Sequence, residues 1–288
     1  MGFMQKKSLA LPLVIFIILV ITIIKTTNTS LSRDSKEKFL NDYSRHALLK
    51  NPSRIDKISD SSYLISDSGN KRLITVIKPH DITWTYSLPA KFNMASQTGS
   101  TFLMDDGMYP LEISKIGALT WKGSAGFEHI QNVQKTPPGT IIYYTGEEIQ
   151  EINKNNTVLW QLKVKTPFIS VQNDNTLLYF DEKHNLMSVS ANRSKIWNIL
   201  HSNDEITWAE KAASGLYLVA SYNDILSSIS LYNASSSILK TVRSYANVNN
   251  PLFIKPSYIH ITDDNTILLT DVSYAKEINW DGSVVWQY

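Results

Sequence analysis

Between residues 63 and 286 the chain repeats one pattern six times, and nothing else in the sequence restricts its fold as much. The copies occupy residues 63–84, 101–121, 140–160, 176–197, 216–240 and 266–286. Each has an apolar strand, a polar gap, an alternating strand, a turn and a last strand closing on Trp84, Trp121, Trp160, Trp197, Lys240 or Trp286. The spacing of roughly 40 residues is that of a four-stranded propeller blade. The last copy is the plainest: Ile267–Leu269, then Ala275–Trp280, an Asp281-Gly282 pair and Val285-Trp286 read as a β-meander with a two-residue hairpin turn. The fifth copy lacks the closing tryptophan and fits least well.

Four strands per unit require one more strand before each copy, and short runs supply it: Arg54–Ile58, Phe92–Ala95, His129–Val133, Phe168–Val171, Ile206–Ala209 and Tyr258–Thr262. A lone blade cannot bury both faces, so neighbouring blades must stack with the tryptophans as large apolar blocks between them. The expected fold is all-β, a propeller of about six four-stranded blades over residues 52–288. A β-helix or sandwich is the competing all-β arrangement. The chain ends on the last strand of the last copy, so closure is expected from blade packing rather than from a strand shared by both ends.

The amino terminus has a different character. Ser8–Ile24 carries no charge and follows Lys6 and Lys7, the layout of an export or membrane segment. Lys25–Ser30 offers no Ala-x-Ala-like cleavage site, so residues 1–25 read as an uncleaved single-pass anchor in the cell membrane, with the carboxyl-terminal domain extracytoplasmic. Residues 26–51 read as a linker, and Phe39, Leu40, Tyr43, Ala47 and Leu48 in it follow one helical face.

A formal net charge of +2 with 19% charged residues gives no basic excess of the kind that binds nucleic acid through its phosphates. With no cysteine, disulfides, thiol nucleophiles and thiolate metal sites are excluded. Asp105-Asp106-Gly107 and Asp263-Asp264-Asn265 lack the spaced ligands of a calcium loop and sit where turns are needed. No metal and no cofactor are therefore expected. Trp208, Tyr143, Tyr144, Tyr179, Phe180, Tyr217 and Tyr222 lie in strands, where core packing is their default role.

Asn51-Pro-Ser-Arg-Ile55 followed by YLISDSGNKRLITV, and His260-Ile-Thr-Asp-Asp-Asn-Thr-Ile-Leu-Leu-Thr-Asp271 followed by EINWDGSVVWQY, resemble the repeats of the PQQ-like and arylsulfotransferase-like β-propeller family. The resemblance covers most of residues 51–288. Quinone-dependent members carry a vicinal cysteine pair and an acidic calcium site, and this chain has no cysteine. Sulfotransferases of similar fold imply channel histidines, one of them a nucleophile, beside cationic residues. Here that implies His129 and His260 as catalytic residues and Arg54 as a substrate-binding one, since imidazole and guanidinium supply a nucleophile and a cradle for negative charge. The competing reading makes both histidines polar residues on a wet channel wall. The function expected is thus a membrane-anchored binding or scaffold module that meets a protein or cell-surface polymer at the propeller rim, with arylsulfotransferase-like sulfuryl transfer as the alternative.

Overall fold

The computed structural model describes residues 48–288 apart from 89–91, 93–94, 124–129, 167, 213, 247 and 249–250. The anchor at 1–25 and the linker through residue 47 lie outside the described residues. Among the described residues no helix is long and apolar enough to cross a membrane.

Among the described residues twenty-four strands form six antiparallel sheets. Blade 1 holds β1 (Arg54–Ser59), β2 (Ser62–Asp67), β3 (Arg72–Ile77) and β4 (Asp81–Ser87); blade 2 holds β5 (Ala95–Thr98), β6 (Thr101–Asp105), β7 (Pro110–Ser114) and β8 (Leu119–Lys122). Blade 3 has β9 (Gln131–Lys135), β10 (Ile141–Tyr144), β11 (Glu148–Ile152) and β12 (Val158–Lys163); blade 4 has β13 (Ile169–Val171), β14 (Leu177–Phe180), β15 (Asn185–Val189) and β16 (Ile196–His201). Blade 5 comprises β17 (Glu205–Lys211), β18 (Tyr217–Tyr222), β19 (Leu226–Tyr232) and β20 (Ile238–Tyr245); blade 6 comprises β21 (Tyr258–Ile261), β22 (Ile267–Asp271), β23 (Tyr274–Ile278) and β24 (Val284–Gln287). In every sheet spatial order follows chain order. The first strands touch one another across blades, β1 with β5, β5 with β9, β9 with β13 and β17 with β21, so they line the axis. The fourth strands, β12 and β24 for example, are mostly exposed at the rim.

This is the six-bladed all-β propeller that the repeat demands, with local differences. Blade 5 is complete despite lacking the tryptophan, and its fourth strand is the longest of all, eight residues. Among the described residues the inner strand of blade 2 runs from Ala95, with Phe92 outside it, and that of blade 3 from Gln131. The Asp281-Gly282 turn is wider than a two-residue hairpin: Asn279 N–H donates to Ser283 O at 2.9 Å, and Gly282 alone in the turn has a positive φ, +86°. Asp281 instead accepts from Ser283 N–H at 2.8 Å and from its hydroxyl at 2.7 Å, an Asx turn that holds the loop. The two acidic clusters are also turns. Asp106 Oδ1, for instance, accepts the amides of Met108 and Tyr109.

The rim tryptophans are half-buried lids rather than fully buried blocks. Only Trp286 is buried, at 6% exposure, and Trp197 is 40% exposed. Beneath three of the lids lies a buried carboxylate on the facing third strand, because Glu112, Glu151 and Glu277 pair in register with Trp121, Trp160 and Trp286. Each carboxylate takes its cations from the following blade. Glu112 meets Lys135 at 3.4 Å and Lys154 at 2.5 Å, and Glu151 meets Arg193 at 2.8 Å. Lys154 and Arg193 also lie over the Trp121 and Trp160 rings, at 4.7 and 5.7 Å.

Ring closure reuses this joint. Glu277 of blade 6 meets Lys57 at 3.2 Å and Lys78 at 3.5 Å in blade 1, and accepts the Tyr63 hydroxyl at 2.5 Å. Trp286 stacks on Tyr63 with ring centroids 4.1 Å apart and donates its indole N–H to Pro79 O at 2.9 Å. Among the described residues no strand is shared between the two ends. Blades 6 and 1 are held as blades 2 and 3 are, by a carboxylate, a tryptophan and the neighbour's cations.

Candidate functional site

One register position on the inner strands gathers the polar side chains of the axis. It is the residue opposite Leu64, Leu103, Ile142, Leu178, Leu218 or Leu268 of the second strand, and it reads Asp56, Ser96, Gln134, Ser170, Glu210 and His260 around the ring. Its second-strand partners are all leucine or isoleucine, as a packed blade requires, while the axial residue varies. Five of the six line one central cleft of about 640 Å³; Ser96 does not. The cleft opens where the first strand of a blade turns into the second, among the loops carrying Asn173, Ser214, Asp263 and Asn265.

Arg54 also lines it, two residues before Asp56 and so on the same face of β1. Its Nε donates to both carboxylate oxygens of Asp56, at 2.9 and 3.0 Å. The guanidinium lies 5.2 Å from the centroid of the Tyr258 ring. Burial works against the Arg54 charge, but Asp56 foremost, then Tyr258 and Glu210, outweigh it and raise the proton affinity of this group further. Burial, offset in part by Arg54, pushes the Tyr258 hydroxyl well above its ordinary value. Beside Tyr258 the ring of Trp208 packs at 4.8 Å, and Trp208 meets Phe168 edge-on at 4.7 Å.

The His260 imidazole is oriented by blade 5. Its Nδ1 lies 2.9 Å from Glu210 Oε2, and the other carboxylate oxygen accepts the Ile261 amide at 2.7 Å. Burial and the Arg54 charge favour the neutral ring, yet the hydrogen bond and charge of Glu210, with Asp56, prevail and raise the His260 pKa above its ordinary 6.5. Gln134 plays a corresponding bridging role between blades 3 and 4, donating to Ile169 O at 2.7 Å and accepting from Val171 N–H at 2.8 Å. Gln172 does so between blades 4 and 5, accepting the Lys211 amide at 2.6 Å. Lys211 Nζ in turn is paired with Asp174.

Of the residues singled out from sequence, Arg54 and His260 meet in this cleft, and His129 lies outside the described residues. Asp56, Glu210 and Trp208 were missed as site residues. The signal available for the first two was a polar residue at an axial position whose counterparts pack against apolar neighbours, visible once the strands are aligned on their partners. His80 and His184 lie in turns, whereas His201 ends β16 with its Nδ1 2.6 Å from Asn185 Oδ1. A second cavity of about 470 Å³ adjoins the cleft and shares Asp56, His260, Thr262 and Asp263 with it. A third of about 320 Å³, lined by Pro52, Ser53, Ile206 and Pro256 among others, lies at the opposite ends of the inner strands.

No protein-family model matches the chain. No curated protein matches it either. Solved structures do match, six-bladed β-propellers among them. A protein of unknown function from Bacteroides caccae superposes with a TM-score of 0.62 at 17% identity, covering 80% of this chain and 93% of that one. A streptogramin B lyase gives 0.59 at 15% identity over 83% of each chain. The calcium-binding protein regucalcin from Agrobacterium tumefaciens gives 0.58 at 14% identity, over 78% of this chain and 82% of its own. At such identities the likeness is one of fold.

Proposed function

We propose that the chain is a binding module. Residues 1–25 anchor it in the cell membrane, the propeller stands on the extracytoplasmic side, and the central cleft takes a small polar ligand or the end of a protein or cell-surface polymer. The observation that carries this reading is the cleft itself: five of six equivalent axial positions turn polar side chains to one cavity of about 640 Å³, a size typical of small-ligand sites. The side chains facing it are held by neighbours before any ligand arrives, so little ordering entropy is lost on binding.

Sulfuryl transfer is the second reading, favoured by the meeting of Arg54 and His260 in one cavity. It asks for a neutral imidazole with a free lone pair. Glu210 takes Nδ1 and so leaves Nε2 as the lone pair of the neutral ring, but it also strengthens the ring's hold on a second proton, which shifts the balance toward the protonated form that cannot attack. The PQQ-like and arylsulfotransferase-like resemblance supports the propeller repeat and leaves the chemistry to the cleft.

The test is equilibrium binding of a polar-solute library to the full chain in detergent, repeated with His260→Ala and Asp56→Ala. Binding lost in both variants is the expected result. A library that binds wild type and both variants alike, or no chain at all, refutes the cleft as the working surface. Turnover of an aryl sulfate by wild type, abolished in His260→Ala, would replace this reading with the second. Protease resistance of the propeller on intact cells would refute its extracytoplasmic placement.

A further inference from the structure

Resting on the cleft reading above, we infer that the ligand is an uncharged, hydroxyl-rich molecule, a neutral saccharide, rather than an ion. The groups lining the cleft that carry charge near neutral pH are Arg54, Lys211 and, when protonated, His260, against Asp56, Glu210 and Asp263. Every cation already has a carboxylate partner: Arg54 has Asp56 at 2.9 Å, His260 has Glu210 at 2.9 Å, and Lys211 has Asp174. An anion entering this cavity would give up its water and meet cations that are already paired, and a cation would find, among the described ion pairs, only Asp263 at the exposed mouth without a cationic partner, so the desolvation of either would be poorly compensated. A zwitterion would have to break these pairs to make its own.

A hydroxyl group avoids both costs because it donates and accepts at once. A carboxylate bound to one cation keeps further lone pairs, and a sugar's adjacent hydroxyls can donate to them while accepting from neighbouring N–H groups without separating any pair. The groups at the mouth suit this exchange. Asn173, Ser214, Asp263 and Asn265 are short, polar and exposed, and they come from three loops. Among the residues lining the cleft, Trp208 adds an independent sign of a missing acceptor. Its side chain is buried, at 4% exposure, yet its indole N–H has no hydrogen-bond partner among the described residues. A buried donor left in that state is costly, and a ligand oxygen would relieve it once a small turn of the ring opened the atom to the cleft.

The experiment is titration calorimetry on the full chain in detergent. The probes are glucose, galactose, N-acetylglucosamine and cellobiose, then a neutral-glycan array, with sodium sulfate and glycylglycine as the ionic and zwitterionic comparisons. The expected result is saccharide binding whose affinity barely changes from low to high salt, since no net charge is neutralised. Asn173→Ala and Asp263→Ala, both at exposed turn positions, should each weaken it about two- to tenfold with thermal unfolding unchanged. Trp208→Phe should weaken it as well, with unchanged thermal unfolding showing that the core survived. Sulfate or glycylglycine binding that depends on His260 and Asp56, with saccharides inert, overturns the saccharide inference and keeps the cleft. Saccharide binding indifferent to every cleft variant overturns the inference by placing the sugar elsewhere, and a silent glycan array overturns it too.

Discussion

Replacing Glu277 by alanine tests the account of ring closure most directly. The side chain is buried, at 2% exposure, and receives Tyr63 Oη at 2.5 Å, Thr266 Oγ1 at 2.7 Å, Lys57 at 3.2 Å and Lys78 at 3.5 Å. Alanine leaves the Tyr63 hydroxyl buried without this acceptor and strands part of the Lys57 charge, which keeps Asp264 at 2.7 Å. Removing one partner of a buried ion pair costs about 3–5 kcal/mol, and the orphaned hydroxyl is already inside that figure. At about 2–4 °C per kcal/mol for a domain of this size, the midpoint of thermal unfolding should fall by roughly 6–20 °C. Glu151→Ala removes the same device between blades 3 and 4, which the chain still ties together covalently. The two variants should therefore differ in hydrogen exchange. Glu277→Ala should speed exchange in β1, β2, β23 and β24 ahead of the rest, while Glu151→Ala should show no such bias toward the ring's ends. A Glu277→Ala protein within about 0.5 kcal/mol of wild type, or one whose β1 and β24 amides stay as protected as before, would refute the joint as the closure.

The same carboxylate predicts an acid limit. Burial opposes the Glu277 charge, but Tyr63, Thr266 and Lys57 outweigh it and hold its pKa below the usual 4.5, so its stabilisation is complete above 4.5 and disappears as pH falls through the lower native value. Stability measured by urea unfolding should drop over that window in wild type and be flatter in Glu277→Gln. Tyr63→Phe, which removes one hydrogen bond to a charged acceptor, should cost about 1.5–3 kcal/mol in the same assay. His260 carries the opposite sign: with its pKa raised, its contribution is present below 6.5 and is lost as pH rises through the native value. Titration of the ring by NMR should show that value fall in Glu210→Gln. Gly117→Ala should destabilise by about 1–3 kcal/mol, because φ is +83° and a Cβ there would stand 2.5 Å from Tyr86 Cε2, whereas Gly139→Ala, at φ +94° with open space around it, should cost about 1 kcal/mol.

The fold was legible because a blade is a local object. Strand, turn and strand follow one another within about 40 residues, and alternation, turn residues and the closing tryptophans mark them without reference to distant chain. Even blade 5, without its tryptophan, keeps enough alternation in Leu226–Tyr232 to be placed. Turn chemistry is less local than strand patterning. Asp281-Gly282 satisfies the composition of a two-residue hairpin, and only the Asn279–Ser283 hydrogen bond shows that the loop is longer.

What the sequence determined by itself, then, is the repeat, its strand content and so the propeller, since each blade's apolar faces must be covered by another blade. Only the tertiary structure decided which residues face the axis and which groups join across it. The Glu-Ile-Ser/Asn run before a tryptophan at Glu112, Glu151 and Glu277 was open to inspection, yet its meaning depends on cations that the following blade brings to it, and for Glu277 that blade is at the other end of the chain. Likewise Arg54 meets Tyr258, and Glu210 meets His260, through ring closure and blade stacking rather than through neighbourhood in sequence. The physical reason is that a strand's pattern fixes which side chains share a face, while the register against its partner and the curvature of the whole ring fix what that face looks at.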